Sequence, residues 1–207
     1  MDGVIVDSES RHAHAFFEVM HELGYGETHG VDWADYVGRS DHDLWADFIA
    51  RHEPTQSLEQ LLKLKRDRVL AIIHRDQPVY AGLTELVEKL ARFCRLGLAS
   101  GSDRPVVEAV LSLRDLRRHF FATVTASEVQ RGKPDPAIFL RTAELLGVAP
   151  AECWVIEDSK PGVTAALAAG MRVIAITNTH PADELRRATV VVKNYGEIER
   201  LLLGTKP

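Results

Sequence analysis

The sequence predicts an α/β fold: a parallel sheet covered by helices on both faces, with a block of helices inserted near the start of the chain. From Ala81 onward, short apolar segments alternate with segments of helical periodicity, which is typical of a parallel sheet. Residues 10–78 instead contain three successive helical segments and no convincing strand. We therefore assign residues 1–9 and 79–207 to an α/β core domain and residues 10–78 to an inserted helical cap domain.

Three helices are expected in the insertion. Apolar residues recur at helical spacing over residues 12–24. Residues 41–52 form a second such segment, with Asp41 as a possible N-cap. The third segment is long and strongly periodic, and it begins at Ser57, whose hydroxyl is a typical N-cap. A helical block placed just after the first turn of the core is most simply a lid.

The core alternates strands and helices in a regular order. Two of its helices are expected to begin near Pro105 and Pro136, because proline is favoured in the first turn, and the second of these ends at Gly147. The strands are short and apolar, as expected for strands that are buried on both faces. In chain order the predicted strands are 96–100, 122–126, 153–158, 172–177 and 189–194, and the predicted helices are 82–94, 103–113, 135–147 and 160–170.

Composition argues against several classes of protein. The chain has 207 residues, 45% of them hydrophobic, and a net charge of −5, so its electrostatics give no reason to expect nucleic acid or an anionic membrane as a partner. Its longest apolar runs are far too short to span a bilayer, and its first residues do not resemble a signal peptide. Cys94 and Cys153 lie in apolar segments, which predicts buried, reduced thiols in a cytoplasmic protein.

Polar residues collect where the predicted strands end. In open α/β sheets, ligands bind at the carboxyl ends of the strands. Ser100, Gly101 and Ser102 follow the first core strand and precede a helix, where free backbone N–H groups suit an anionic phosphate. The alternative is that Ser102 or Asp103 is only an N-cap.

Charged residues occupy the same rim. Glu157 and Asp158 end an apolar strand, where two carboxylates are costly unless they are neutralised, and Mg²⁺ prefers such oxygen ligands. The alternative is that Asp158 caps the next helix. Lys133 precedes a helix and could reach a phosphoryl oxygen, or it could be a solvated surface residue. Asp2 is followed by Gly3, which permits close approach of the backbone.

The segments MDGVIVDSES, LASGS, GKPDP and VIEDSKPGV together resemble the four motifs of the haloacid dehalogenase-like phosphatases. The resemblance is strongest to the subgroup that contains β-phosphoglucomutase, sugar-phosphate phosphatases and phosphoglycolate phosphatase, and it covers nearly the whole chain. It implies a Rossmann-like core with an inserted helical cap, Mg²⁺ as cofactor, and hydrolysis of phosphoric monoesters.

The family's first motif is Asp-x-Asp, in which the first aspartate attacks phosphorus and the second is the general acid and base. The second aspartate matches Asp2, so the nucleophile is expected just upstream of Met1. Ser100 resembles the phosphate-binding hydroxyl of the second motif. Lys133 resembles the lysine that balances charge on the nucleophile and the phosphoryl group.

The resemblance also implies a set of metal ligands. Asp158 resembles the principal acidic Mg²⁺ ligand, with Glu157 beside it in direct contact with the metal or one shell away. The backbone carbonyl of Asp2 would be the third Mg²⁺ ligand.

In the family, the first motif follows the central strand of the sheet. Without that strand, residues 96–100 and 153–158 would flank a gap, and each buried unpaired backbone group costs about 1–3 kcal/mol. The total would rival the net stability of a domain, about 5–15 kcal/mol. We therefore expect residues ahead of Met1 to complete the sheet and to supply the nucleophile. If Met1 is the true start, the chain is inactive by the aspartyl-phosphate route and is a non-catalytic phosphometabolite-binding protein.

The cap is expected to choose the substrate. The segment YVGRSDHD resembles the family's specificity loop, so Gly38, Arg39 and Ser40 are predicted to face the substrate. His12 matches a cap-linker position that contacts sugar in relatives, and Lys65 lies near a position used for anionic substrates. The alternatives are a packed histidine and solvated charges.

Two reactions are compatible with these motifs. A mutase must hold a second phosphate, yet Asp41 and Asp103 stand where β-phosphoglucomutase has basic residues, although Arg39 and Arg104 lie close and could compensate. The favoured prediction is a phosphatase acting on a small phosphorylated sugar or polyol, with a phosphosugar mutase as the alternative. A haloacid dehalogenase is disfavoured, because the two adjacent carboxylates imply a metal that such enzymes do not need.

No partner beyond the small phosphate ester is expected, and the protein is predicted to be a monomer or a weak homodimer.

Overall fold

The computed structural model describes residues 1–36 and 41–204. The chain separates into two compact units. The core unit comprises Met1–Asp7 and Val79–Pro207, and the helical unit comprises Ser8–Pro78. Within the described residues, no helix is both long enough and apolar enough to cross a bilayer.

The helical unit contains three α-helices: α1 (Glu9–Glu22), α2 (Asp41–His52) and α3 (Leu58–Asp76). Short 3₁₀ helices follow α1 at Gly26–His29 and Trp33–Tyr36. The three helices bury apolar side chains that recur every three or four residues, which is what joins them into one core. The largest fully buried side chains of this core are Phe16, Met20, Leu44, Trp45, Phe48 and Leu61.

The predicted N-cap of α3 is confirmed. The hydroxyl of Ser57 accepts a hydrogen bond from the backbone N–H of Gln60 at 3.3 Å. The side-chain oxygen of Gln60 in turn accepts from the backbone N–H of Ser57 at 2.8 Å. This reciprocal capping box satisfies two backbone donors that the first turn of the helix would leave without partners.

The core unit alternates strands and helices, as predicted. Its elements are α4 (Leu83–Leu90), β1 (Leu96–Ser100), α5 (Arg104–Ser112), β2 (Phe120–Thr125), α6 (Ala137–Leu146), β3 (Trp154–Glu157), α7 (Lys160–Ala168), β4 (Arg172–Ile176), β5 (Val190–Val192) and α8 (Tyr195–Leu203). Helix α8 and the 3₁₀ segment Leu113–His119 were not predicted. All five predicted strands are present, and the α/β fold class is confirmed.

The strands form two parallel sheets rather than one continuous sheet. In the first sheet β1 pairs with β2, and Ser100 lies opposite Thr125. In the second sheet the order is β3-β4-β5, and Glu157 lies opposite Ala175. Among the residues that the structure describes, strands β1 and β3 are not paired with each other. The expectation that a central strand lies between residues 96–100 and 153–158 stays a prediction.

The residues that precede α1 form a turn and not a strand. The backbone N–H groups of Ile5 and Val6 both donate to the carbonyl of Met1, at 2.7 and 3.3 Å, and the N–H of Gly3 donates to the carbonyl of Val6 at 2.9 Å. Val4, Ile5 and Val6 are buried. We call residues 2–6 the N-terminal turn.

Neither cysteine is buried, so that prediction was wrong. Cys94 is exposed and Cys153 is partly exposed, although both are free thiols. Helix α4 ends at Leu90, earlier than predicted, and the turn that follows brings Cys94 to the surface. Apolar neighbours in sequence therefore did not predict burial here.

Candidate active site

Two carboxylates lie at the carboxyl end of β3. Glu157 is the last residue of the strand and Asp158 follows it, and both are buried. Oε1 of Glu157 forms an ion pair with Nζ of Lys133. Its Oε2 accepts hydrogen bonds from the N–H of Asp158 at 3.1 Å and from the hydroxyl of Ser159 at 3.0 Å. Burial opposes ionisation, but Lys133, the amino terminus at Met1 and the hydroxyl of Ser159 outweigh it and hold the pKa of Glu157 below its ordinary value.

Gly162 allows this carboxylate to lie against helix α7. A Cβ atom at position 162 would lie 2.1 Å from Cδ of Glu157, so no other residue fits without movement. The N–H of Gly162 donates to the hydroxyl of Ser159 at 3.2 Å, which caps the helix. Ser159 therefore links the start of the helix to the carboxylate.

Asp158 lies directly against the N-terminal turn. A Cβ atom on Gly3 would lie 1.8 Å from Oδ2 of Asp158 and 2.5 Å from Oγ1 of Thr179, and Gly3 has φ +66°. Burial and the neighbouring charge of Glu157 raise the pKa of Asp158 to about 6, although Thr179 and the amino terminus at Met1 partly offset them. A cation beside Asp158 would relieve this cost.

The N-terminal turn also meets the end of β1. The hydroxyl of Ser102 donates to Oδ2 of Asp2 at 2.7 Å. The N–H of Ser102 donates to the hydroxyl of Ser100 at 3.1 Å, and Ser100 is buried. Gly101 lies between them, and a Cβ there would meet no heavy atom within 4 Å. This loop follows the strand and precedes α5, as the sequence predicted.

The core unit thus brings the seven predicted site residues of this unit to one region. Asp2, Ser100 and Ser102 form one group of contacts, and Lys133, Glu157 and Ser159 form another. The two groups are joined where Gly3 packs on Asp158. Elements that lie far apart in the chain therefore converge at the carboxyl ends of the strands.

The predicted site residues of the helical unit have different surroundings. His12 lies in the first turns of α1 and is partly buried. Lys65 lies on α3 with only 1% of its side chain exposed, forms an ion pair with Asp41, and has its amine 5.2 Å from the ring centre of Trp33. The alternative that Lys65 is a solvated charge is therefore wrong. Gly38, Arg39 and Ser40 lie outside the described residues.

The residues near Asp158 offer Mg²⁺ a carboxylate and a nearby backbone carbonyl. Within residues 1–36 and 41–204, no three histidine, cysteine or acidic side chains are grouped as a metal site. Mg²⁺ does not require such a group, because it is usually held by one or two carboxylates and keeps several waters. Asp158 is a buried carboxylate with a raised pKa, packed against the turn that carries the carbonyl of Asp2. These features fit Mg²⁺, whereas Glu157 is already engaged by Lys133 and Ser159.

Three further residues at this site were not predicted from the sequence. The side-chain amide of Asn178 donates to the carbonyl of Gly3 at 2.8 Å. Thr179 hydrogen-bonds Asp158. The hydroxyl of Tyr195 donates to the carbonyl of Val4 at 2.8 Å. Asn178 and Thr179 follow the carboxyl end of β4, so the rule that selected the other site residues could have found them, but no local signal marks Tyr195.

Arg104 contacts the end of β2 and Glu128. Its guanidinium donates to the hydroxyl of Thr123 at 2.7 Å and to the carbonyl of Thr123 at 3.3 Å. It also forms an ion pair with Glu128, whose carboxylate accepts from the N–H of Thr125 at 2.9 Å. Arg104 thus braces the end of β2, and its compensation for a missing second phosphate site stays a prediction.

Comparisons with known proteins agree with this arrangement. Residues 1–170 match the family described as haloacid dehalogenase-like hydrolase. Hexitol phosphatase B of Escherichia coli is 31% identical over 201 residues, which cover 93% of this chain and 88% of that protein. Fructose-1-phosphate phosphatase YqaB of Escherichia coli is 30% identical over 178 residues, which cover 85% of this chain and 93% of that protein. The crystal structure of β-phosphoglucomutase from Clostridium difficile has a TM-score of 0.80 at 22% identity and covers 98% of this chain and 92% of that chain.

The likeness to the solved structure shows the fold, and the family match together with the phosphatase relatives confirms the predicted enzyme class, a phosphoric monoester hydrolase. The predicted resemblance is confirmed as well. This chain belongs to the haloacid dehalogenase-like hydrolase family.

Proposed function

We propose that this protein is a Mg²⁺-dependent phosphatase that hydrolyses a small phosphorylated sugar or polyol through an aspartyl-phosphate. The main support is the packing of Gly3 on Asp158, because it places the turn that carries Asp2 beside the carboxylate suited to a metal. The names of the relatives, hexitol phosphatase and fructose-1-phosphate phosphatase, support the substrate class.

The residues of the core unit suit phosphoryl transfer. This chemistry needs positioning and neutralisation of the phosphoryl oxygens. Lys133, the hydroxyl of Ser100 and the N–H group of Gly101 would bind those oxygens. Mg²⁺, when bound by Asp158 and the carbonyl of Asp2, would add positive charge beside them. Glu157 would hold Lys133 in place through their ion pair.

Asp2 would act as the general acid and then as the general base. It would protonate the leaving alkoxide of the substrate and then take a proton from the water that hydrolyses the aspartyl-phosphate. The hydrogen bond from the hydroxyl of Ser102 to Oδ2 of Asp2, at 2.7 Å, would orient this carboxyl group. In this proposal the attacking aspartate precedes Met1, at the end of a strand that pairs with β1 and β3.

The helical unit would act as a cap that selects the substrate. His12 and Lys65 stay predicted substrate contacts, as do Gly38, Arg39 and Ser40. The ion pair with Asp41 gives Lys65 a defined anionic partner that a substrate anion would have to replace or share. A cytoplasmic location and a monomeric or weakly dimeric state also stay predictions.

Hydrolysis is favoured over isomerisation by the contacts of Arg104. A mutase needs cationic groups for a second phosphate, and the guanidinium of Arg104 is already bound by Thr123 and Glu128. Asp103, an acidic residue, is the N-cap of the same helix. We therefore expect phosphate release, with negligible transfer of phosphate between two positions of a sugar.

A phosphatase assay tests this proposal. The protein is assayed as residues 1–207 and with a short apolar strand that ends in aspartate fused ahead of Met1, on hexitol and hexose monophosphates. The fused protein should release phosphate, lose activity when EDTA removes the metal, and regain it with Mg²⁺. Lys133→Met should lower kcat roughly 100-fold or more, because a charge on the phosphoryl oxygens is lost.

The control is Arg131→Met, which removes a neighbouring cation whose side chain is 81% exposed. It should leave kcat unchanged. If the fused protein releases no phosphate from any of these esters, or if Lys133→Met keeps full activity, the proposal fails. Efficient isomerisation of the sugar phosphates would instead favour the mutase alternative.

A further inference from the structure

We propose that Asn178 and Tyr195 are positioning residues for the active site, because their hydrogen bonds fix the N-terminal turn that carries Asp2. This inference rests on the proposed function, in which Asp2 supplies both a carboxyl group and a backbone carbonyl to the reaction. Neither Asn178 nor Tyr195 belongs to the four sequence motifs.

The two side chains form one continuous network with the turn. The amide of Asn178 donates to the carbonyl of Gly3 at 2.8 Å and to the hydroxyl of Tyr195 at 3.0 Å. That hydroxyl donates to the carbonyl of Val4 at 2.8 Å. Two successive carbonyls of the turn are thus held by two connected side chains, so the planes of their peptide groups are fixed together.

The turn needs these partners because it is buried and irregular. Gly3 has φ +66°, so the chain reverses here without the ladder of hydrogen bonds that a strand would provide. Val4 and Tyr195 are both buried. A buried carbonyl without a donor is costly, so loss of the network would favour another conformation of the turn.

Rigid elements hold both side chains in place. Asn178 lies two residues beyond β4, and the adjacent Thr179 hydrogen-bonds Asp158. Tyr195 is the first residue of α8, and its neighbour Asn194 caps the helix by accepting from the N–H of Glu197 at 3.0 Å. Strand β4 and helix α8 thereby determine where the backbone of Asp2 lies relative to Asp158.

The test uses Tyr195→Phe, which removes only the hydroxyl. Its matched control is Tyr25→Phe, which removes the same group in the helical unit, where the ring of Tyr25 packs at 5.0 Å from that of Phe48. Hydrogen exchange of the amides of residues 3–6 is measured by mass spectrometry, and Mg²⁺ affinity is measured by calorimetry. We expect exchange in the turn to rise and Mg²⁺ affinity to fall about tenfold in Tyr195→Phe, with no change in the control.

The second measurement is of kcat and KM. In the fused protein that carries the nucleophile, Tyr195→Phe should lower kcat about tenfold and leave KM unchanged, because the substrate still binds while the proton donor is misplaced. Asn178→Ala should give the same pattern, and it serves as the second variant if Tyr195→Phe does not fold.

Three results would overturn the inference. The first is turn exchange in both variants that equals the control. The second is faster exchange with unchanged Mg²⁺ affinity and kcat, which would mean that the network only stabilises the fold. The third is absence of Mg²⁺ binding by the unmodified protein. If the unmodified protein binds Mg²⁺ but the fused protein hydrolyses no ester, the proposed function fails, while exchange and Mg²⁺ affinity still decide the role of Asn178 and Tyr195.

Discussion

Single residues set the spacing of the charged groups in the candidate active site. Gly3 and Gly162 each face a buried carboxylate at a distance that excludes a Cβ atom. At Gly3 the backbone also adopts φ +66°, which side chains rarely tolerate. At Gly162 the backbone is helical, so the requirement for glycine comes only from Glu157. The two glycines therefore allow the turn and helix α7 to contact the carboxylates directly.

Gly162→Ala tests this requirement. Alanine in a helix is normally more stable than glycine by about 1 kcal/mol, but here the new Cβ would displace the carboxylate of Glu157 and its ion pair with Lys133. We expect a net loss of about 1–2 kcal/mol in the free energy of unfolding, because overpacking costs about 1–3 kcal/mol. Urea denaturation measures it.

Gly132→Ala is the matched control, because a Cβ there would meet no heavy atom within 4 Å. Its free energy of unfolding should change by no more than about 0.5 kcal/mol. A Gly162→Ala variant that is as stable as the unmodified protein would show that the carboxylate can move away at no cost.

At the scale of elements, three helices begin at a residue whose side chain caps the first turn. Ser57 caps α3, Ser159 caps α7 and Asn194 caps α8, each by accepting a hydrogen bond from a backbone N–H in the first turn. In α7 the capping serine also contacts Glu157, so one side chain serves both the helix and the site. Ser159 thereby links the stability of the first turn of α7 to the position of the Glu157 carboxylate.

Ser57→Ala should destabilise the protein by about 1 kcal/mol, because the capping box of α3 would be lost. The free energy of unfolding is again measured in urea. Thr55→Ala, in the loop just before the helix, changes a hydroxyl residue that is also exposed and should have a smaller effect, within about 0.5 kcal/mol. Equal effects of the two substitutions would contradict a specific role for the cap.

At the scale of the whole molecule, the pairing of the strands distinguishes stable from less stable parts of the core unit. Strand β4 is paired on both sides, with β3 and β5, and its residues from Val173 to Ile176 are fully buried. Strands β1 and β3 each have one partner among the described residues. Strands with two partners lose more hydrogen bonds and more buried surface when they open.

Native-state hydrogen exchange should therefore be slowest in β4, at the rate set by global unfolding. In the protein of residues 1–207, the amides of β1 should exchange at least about tenfold faster, because this strand can open without disrupting a second pairing. Mass spectrometry of peptides that cover Leu96–Ser100 and Arg172–Ile176 measures the difference. Equal protection of β1 and β4 would mean that another strand pairs with β1.

Periodicity and turn chemistry determined the elements of this protein. The five strands, the caps at Ser57 and Gly147, and the alternation of strand and helix follow from local preferences that any chain with this sequence shares. The site residues could be chosen for a related reason, because parallel strands bring their carboxyl ends to one edge.

Only the tertiary structure decided which of those residues contact one another. The pairing of Lys133 with Glu157, the bracing of Arg104 by Glu128, and the burial of Lys65 beside Asp41 depend on elements that are far apart in the sequence. The network through Tyr195 has no local signal, because it forms only when α8 packs beside the N-terminal turn. Local preferences act within a few residues, whereas these contacts depend on which faces of the elements become buried together.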